Sequence, residues 1–265
     1  MRRLFILFTL ALLSCLAVNA PASTIVYNQW DGSAGTSDWN TATNWTLDYV
    51  PILDNGTTKS KAGFKTATGP VLGLETQNAE AWQGIIGGPS GLGVLTVSGG
   101  RLTTGDYIIM GNAATETGTL NMNSGNITTT GHFYVGFNGP GTIYMESGTI
   151  NVGNIFGIAE KAVATSVGTV YLHGGTITAT NFQMENSGAI ATGLLEIANT
   201  GKLIVNGNVV AKVTGYIGNS LITGVGGAVQ VDYNVTTLGK TTVFVPEPVT
   251  IILLGLGSLG LIRRR

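Results

Sequence analysis

One short sequence pattern recurs along the middle of the chain. Each copy begins with a glycine, continues with alternating apolar residues and reaches a second glycine seven positions later. Clear copies begin at Gly93, Gly118, Gly141 and Gly168, and a looser copy begins at Gly193, so that successive starts are 25, 23, 27 and 25 residues apart. A unit this short cannot enclose its own apolar side chains, and the copies must therefore stack on one another.

Within each copy the apolar residues occupy alternate positions, as Leu95 and Val97 do in the first. This alternation is typical of a strand with one buried face. If the coils stack in register, equivalent residues form one interior column, namely Leu95, Leu120, Ile143 and Val170. A second alternation after each copy predicts a second buried strand, with the inward pairs Tyr107 and Ile109, Phe133 and Val135, and Phe182 and Met184.

Repeat length and composition together indicate the fold class. A propeller blade needs about 40 residues for its four strands, whereas 23 to 27 residues suit one coil of a solenoid. The 40 glycines disfavour helices, since glycine costs about 1 kcal/mol against alanine in a helix interior. We therefore expect an all-β, right-handed parallel β-helix. From Gly93 to about Gly207 the copies also resemble the glycine-rich repeats of autotransporter-type passenger domains.

The expected layout is one elongated domain between two terminal address segments. Residues 1–22 form a signal peptide, 23–90 an N-terminal cap with the first irregular coils, and 91–207 the repeat β-helix of about five coils. Residues 208–245 form the final coils and a C-terminal cap, and 246–265 a sorting segment. Trp30, Trp39 and Trp45 lie close together before the repeats and are expected in the cap; the alternative is that they are glycan contacts.

The amino terminus has the features of a secretory signal. Arg2 and Arg3 precede an apolar stretch, and the small residues Ala20 and Ala22 predict cleavage after Ala22 and export by the Sec route. An uncleaved anchor and lipidation at Cys15 are the alternatives. Cys15 is the one cysteine of the sequence, so cleavage leaves a chain without disulfides or thiolate chemistry.

The carboxyl terminus combines three features in a fixed order. Pro246, Glu247 and Pro248 precede an uncharged apolar run to Ile262, which is expected to form a transmembrane helix, and the chain stops on Arg263, Arg264 and Arg265. This order resembles the PEP-CTERM sorting signal of bacterial exopolysaccharide-associated proteins. The resemblance implies an exosortase-type membrane protease as partner, transient anchoring in the inner membrane, and then a cell-surface or extracellular location. A plain C-terminal anchor is the alternative.

Charge argues against nucleic acid as a partner. Loss of the two terminal segments removes five arginines and Glu247, which leaves 8 basic and 13 acidic residues and a net charge of −5. Such a body repels phosphates and has no basic cluster with which to bind them.

Little in the sequence points to catalysis. Outward positions of successive coils predict a ladder of Ser98, Asn123, Glu146, His173 and Ala198. Glu146 and His173 are neighbours in this ladder. The pair is an acid/base couple, half of a metal site, or a solvated pair that contributes well under 1 kcal/mol. The pair is expected to be solvated, and no catalytic residue, metal or cofactor is predicted.

Other acids are scattered at different phases of the repeat. They are therefore not expected to share one face as a pair of carboxylates, which sugar cleavage requires. They are Asp106, Glu116, Glu160, Glu185 and Glu196, with Arg101, Lys161 and Lys202 as the bases. The sequence thus predicts an exported bacterial surface or matrix protein with a structural or adhesive role, associated with exopolysaccharide or biofilm. A carbohydrate-active β-helix enzyme, either a polysaccharide lyase or a hydrolase, is the alternative.

Overall fold

Residues 22–73, 76–88, 91–161, 163–184 and 192–247 are described in a computed structural model of the chain. Their strands form a parallel β-solenoid of about six turns. The predicted signal helix with Ala20, and the predicted transmembrane segment with Pro248 and Arg263 to Arg265, lie outside the described residues. Among the residues that are described, no helix has both the length and the apolar character needed to cross a bilayer.

Strands account for most of the regular structure. In chain order they are β1 (Thr24–Trp30), β2 (Thr58–Phe64), β3 (Val71–Leu72), β4 (Asn78–Ala81), β5 (Gln83–Ile86), β6 (Leu92–Thr104), β7 (Ile108–Met110), β8 (Thr117–Thr129), β9 (Phe133–Val135), β10 (Pro140–Met145), β11 (Thr149–Ile158), β12 (Val167–Leu172), β13 (Thr176–Met184), β14 (Thr192–Ala198), β15 (Lys202–Asn206), β16 (Ile222–Val225), β17 (Gln230–Tyr233) and β18 (Lys240–Phe244). A 3₁₀ turn covers Ala42–Asn44, and one α-helix, α1, covers Val210–Gly218.

Three parallel ladders make three faces around a single core. Face A contains β3, the start of β6 and β8, then β10, β12, β14 and β16. Face B contains β4, the end of β6 and β8, the start of β11 and β13, and β15. Face C contains β1, β2, β5, β7, β9 and the end of β11 and β13. The longer strands thus bend around a corner and contribute to two faces.

The predicted interior column is confirmed. Leu95 pairs with Leu120, Leu120 with Ile143, and Ile143 with Val170, and all four side chains are fully buried. Face B carries a second inward column, composed of Ala79, Leu102, Ile127, Ile150, Ile177 and Leu203. Apolar residues from all three faces belong to one core cluster.

Glycine is required at the two repeat positions for different physical reasons. Gly118, at the start of its copy, lies so close to the previous coil that an added Cβ would come 2.3 Å from the carbonyl oxygen of Ile86. Gly148, at the corner between faces A and B, has a φ of +87°, a left-handed conformation that disfavours residues with a Cβ. Close approach fixes the first glycine and backbone conformation fixes the second.

One inward assignment from the sequence is wrong, and one outward position is covered. On face C the inward positions of β7 are Ile108 and Met110, which pair with Phe133 and Val135, so the predicted Tyr107 and Ile109 are off by one residue. Ala198 was expected on the outward ladder, but it is only 4% exposed. The chain turns at the next residue, Asn199, whose φ is +48°.

The N-terminal end is covered by the segment between β1 and β2. Trp30, Trp39 and Trp45 meet there edge to face, with ring centroids 4.8 Å apart for Trp39 and Trp45 and 5.3 Å for Trp30 and Trp45. They pack against Phe64 of β2. Because β1 already pairs in parallel with β2, the regular ladder of face C begins at Thr24, inside the segment expected to be irregular.

The C-terminal end is covered by two elements. Face B ends with β18 and then β17, both antiparallel to their neighbours. Face C ends against α1, where the ring of Tyr216 lies 5.8 Å from that of Phe182 and its hydroxyl accepts a hydrogen bond from the Met184 amide at 3.2 Å. The sequence predicted strands here, and the helix was not expected.

Candidate functional site: a tyrosine stack beside a histidine and two carboxylates

The outward side of face A brings aromatic and ionisable residues together. Tyr144 of β10 pairs in register with Tyr171 of β12, and Tyr171 pairs with Glu196 of β14. Their neighbours along each strand point into the core, so these three side chains face outward. The parallel ladder places them about 4.8 Å apart from coil to coil.

The two tyrosine rings form a flat stack. Their centroids are 5.1 Å apart and their planes differ by 10°. Tyr144 is 46% exposed, and the ring of His173 approaches that of Tyr171 edge-on at 6.0 Å. The stack therefore presents an aromatic surface to solvent with the imidazole at its border.

His173 lies between two carboxylates. Its Nδ1 is 3.5 Å from Oε1 of Glu146, and its Nε2 is 3.0 Å from Oε1 of Glu196. A neutral imidazole donates from one nitrogen, whereas an imidazolium donates from both and so satisfies both carboxylates. The side chains of Glu146, His173 and Glu196 are 60%, 31% and 26% exposed, so each contact contributes little energy.

The predicted contact of Glu146 with His173 is confirmed, and the role of Glu196 was missed. The sequence places Glu196 two copies from Glu146 and at another phase of the repeat. It belongs to the row of Tyr144 and Tyr171, and from there it reaches the histidine of the adjacent coil on the diagonal. Diagonal neighbours across strands are within reach of long side chains. This general rule is the signal from which the contact of Glu196 with His173 could have been predicted.

The same surface continues as a polar ladder toward the amino terminus. Asn123 donates from Nδ2 to Oγ of Ser98 at 2.9 Å, and Asn121 from Nδ2 to Oγ1 of Thr96 at 3.4 Å. Amide, hydroxyl, phenol and carboxylate groups thus follow one another along face A. This combination suits a ligand with many hydroxyl groups and apolar ring faces.

The three tryptophans are inaccessible to a glycan. Trp30, Trp39 and Trp45 are 1%, 0% and 0% exposed, and their rings pack on one another inside the cap. The alternative that they stack on sugars is therefore ruled out by burial. Their expected place in the cap agrees with the structure.

Among the residues that the structure describes, the other acids do not gather into a second cluster. Asp106 accepts a hydrogen bond from Gln83 at 2.6 Å, and Glu116 is buried elsewhere on the solenoid. Glu160 contacts Tyr134, and burial, together with this carboxylate, raises the pKa of Tyr134 to about 12. Glu185 lies outside the described residues. Within the described ranges no set of three or more histidine, cysteine or acidic side chains is arranged to hold a metal ion.

The described part of the predicted sorting motif follows the core directly. Val245 is 5% exposed and belongs to the core cluster, and Pro246 and Glu247 come directly after it. Pro246 and Glu247 line a small groove of about 250 Å³ together with Lys202 and Phe244. Ala22, at the predicted signal cleavage site, is exposed and lies two residues before β1.

With the fold and the site described, comparison with known proteins adds no assignment: no family model, no curated protein and no solved structure matches this chain.

Proposed function

We propose that this protein is an exported bacterial surface or matrix protein with a structural or adhesive role, and that it contacts glycans through the outward side of face A. The observation that carries the proposal is the exposed stack of Tyr144 on Tyr171. Flat aromatic rings offer an apolar surface with a polar hydroxyl at one end, a combination that is enriched where proteins bind partners.

The surroundings of the stack support the same ligand class. Carboxylates of Glu146 and Glu196 accept hydrogen bonds, and the amides of Asn121 and Asn123 both donate and accept them. Sugar hydroxyls need both kinds of partner. The surface is open and exposed, which favours repeated weak contacts along a polymer over the enclosed pocket typical of small-molecule sites.

Export and sorting belong to the same proposal. A right-handed solenoid is delivered by the Sec signal of residues 1–22 and held transiently in the inner membrane by a C-terminal transmembrane helix. An exosortase-type protease recognises Pro246, Glu247 and Pro248 and releases the body toward an exopolysaccharide layer or biofilm. The support is the order of triplet, apolar run and arginine cluster in the sequence.

A second candidate is a polysaccharide-cleaving enzyme, and the cluster at His173 is the observation that favours it. Glycosidases use two carboxylates on either side of the bond that they break. Here both carboxylates contact one imidazole at the edge of an aromatic surface. We favour binding over catalysis because each acid is already engaged by His173 and lies in contact with water.

The binding test uses tyrosine variants. Tyr144→Ala and Tyr171→Ala should weaken retention on immobilised polysaccharide at least several-fold, whereas Tyr233→Ala, which removes a tyrosine 38% exposed on β17, should not. Equal retention by all three variants would remove the support for a glycan site on face A.

The enzyme alternative is tested by incubating the protein with acidic and neutral polysaccharides and measuring new reducing ends and unsaturated products. We expect none above a buffer blank. Turnover that Glu146→Gln abolishes would make the protein an enzyme. For sorting, deletion of residues 246–248 should leave the protein unprocessed in the membrane fraction, and unchanged release would contradict the exosortase assignment.

A further inference from the structure

A second surface, away from the tyrosine stack, has the form of a binding groove. It follows the corner between faces B and C, has a volume of about 460 Å³, and crosses four successive coils from Thr128 to Asn206. With coils about 4.8 Å apart, four coils span roughly 14 Å along the solenoid axis. The groove therefore runs across the strands and parallel to the long axis.

Unused hydrogen-bonding groups line the middle of this groove. Asn151 of β11 pairs in register with Thr128 of β8 and with Thr178 of β13, so the three side chains form one outward row. Thr128 donates to Asn126 at 3.0 Å. In the described part of the chain the side chains of Asn151 and Thr178 make no hydrogen bond, and both groups line the groove.

A glycine lies between two threonines in the second row of the groove. Thr130 and Thr180 flank Gly153, and each of these hydroxyls donates to a backbone carbonyl oxygen, that of Gly105 and that of Gly153. An added Cβ at Gly153 would lie 2.2 Å from the carbonyl oxygen of Thr130. The backbone of Thr130 therefore occupies the space that a side chain at Gly153 would take, so glycine is needed for the close approach of the two coils, and the two hydroxyl groups are the polar groups of this row.

One positively charged side chain, that of Lys240, lies at the carboxyl end of the groove. Lys240, the first residue of β18, lies opposite Asn206 in the antiparallel register and lines the groove with it. No ion pair involves Lys240 among the described residues, although acids outnumber bases in the body. The carboxylate of Asp232 on the adjacent strand is engaged by Thr236.

We propose that this groove binds a segment of an acidic polysaccharide laid along the solenoid axis. A carboxylate of the glycan pairs with the ammonium group of Lys240, while Asn151 and Thr178 exchange hydrogen bonds with sugar hydroxyls. The inference rests on the proposed glycan-binding function and deepens it, because it assigns a charge class to the ligand and a site apart from the tyrosines. Neutral glycans can accept hydrogen bonds from Lys240 but have no carboxylate with which to pair its charge.

The test compares a lysine in the groove with a lysine outside it. Oligogalacturonate and a neutral gluco-oligosaccharide of equal length are titrated calorimetrically into the full chain, at low and at raised salt. The variants are Lys240→Gln, Thr178→Val, and Lys202→Gln as a control, since Lys202 is an exposed lysine of β15 that does not line this groove. None of the three side chains is in the core, so all variants should fold.

We expect wild-type protein to prefer oligogalacturonate and this preference to shrink as salt rises. Lys240→Gln should weaken oligogalacturonate binding about tenfold and remove the loss of binding at raised salt. Thr178→Val should weaken binding several-fold, and Lys202→Gln should match wild type. If Lys240→Gln and Lys202→Gln behave alike while tyrosine variants still lose retention, the groove proposal is overturned and the proposed function stands. If wild-type protein binds neither glycan and no polysaccharide is retained, both the groove proposal and the proposed glycan-binding function are overturned.

Discussion

Inside the N-terminal cap, Nε1 of Trp45 donates a hydrogen bond to the backbone carbonyl oxygen of Trp39 at 2.9 Å. The bond is buried, and the two rings lie edge to face with centroids 4.8 Å apart. The side chain of Trp45 thus contacts both the ring and the backbone of Trp39, and it stabilises the loop that covers the first coil.

Replacing Trp45 by alanine should cost about 3–5 kcal/mol of unfolding free energy, because a fully buried indole and its hydrogen bond are lost together. Urea unfolding followed by circular dichroism measures this change. Polysaccharide retention by the fraction that stays folded should be unchanged. A loss of retention without a loss of stability would show that the cap tryptophans contact the ligand.

Gly148→Ala should destabilise the solenoid by at least about 1–2 kcal/mol, since alanine is strained at a left-handed φ. The added methyl group would also meet the carbonyl oxygen of Gly125 at 2.6 Å. Gly215→Ala is the matched control: it lies within α1, where a Cβ meets nothing within 4 Å. We expect that variant to gain about 0.5–1 kcal/mol from helix propensity. Thermal unfolding of both variants should show opposite signs.

Leu120→Ala should cost about 2–5 kcal/mol, because it leaves a cavity in a column packed above and below by Leu95 and Ile143. Thr119 precedes it on the same strand and faces outward. Thr119→Ala should therefore change stability by less than about 0.5 kcal/mol. Similar losses for both variants would contradict the assignment of inward and outward faces.

Alkaline pH should destabilise the fold between about pH 10 and pH 12. Burial raises the pKa of Tyr27 and of Tyr134 to about 12, above the ordinary value of 10.0, and the charge of Glu160 adds to the effect at Tyr134. The unfolded chain therefore loses these protons first, and unfolding becomes more favourable as the pH rises through this window. Urea midpoints measured across the window should fall, and less steeply in Tyr134→Phe. An equal slope in that variant would rule out Tyr134 as a contributor.

Ending the chain after Val245 should preserve the fold, whereas ending it after Gly239 should not. The longer product keeps β18, whose Val243 is fully buried against Leu203 of β15. The shorter product exposes the edge of β15 and removes part of the core. Hydrogen exchange of the β15 amides distinguishes the two products, with protection expected in the longer one alone.

Strict alternation made the core of faces A and B predictable. Around Leu120, polar residues on both sides fix which positions face inward, and a shift by one residue would bury them. The run from Tyr107 to Met110 contains no polar residue. Both phases are apolar there, and the pairing with Phe133 decides between them.

The helix α1 could not be predicted from local preference. Its segment contains β-branched valines and two glycines, which are poor helix formers. Burial of Val213 and Tyr216 against the end of the core supplies the stabilisation instead.

In the candidate site, one contact of His173 could be predicted from the repeat and the other could not. The contact of Glu146 with His173 follows from equivalent positions in adjacent coils. The contact of Glu196 with His173 crosses the sheet on the diagonal, so a comparison of equivalent repeat positions alone does not predict it.

Because each coil repeats the same inward set, whole coils are interchangeable units. Excising the stretch from Gly118 to Pro140 would bring Gly141 over Gly93 with an aliphatic residue still above Leu95, and the capping elements would remain intact. The length of the solenoid can therefore change in single-coil steps without redesign of either end.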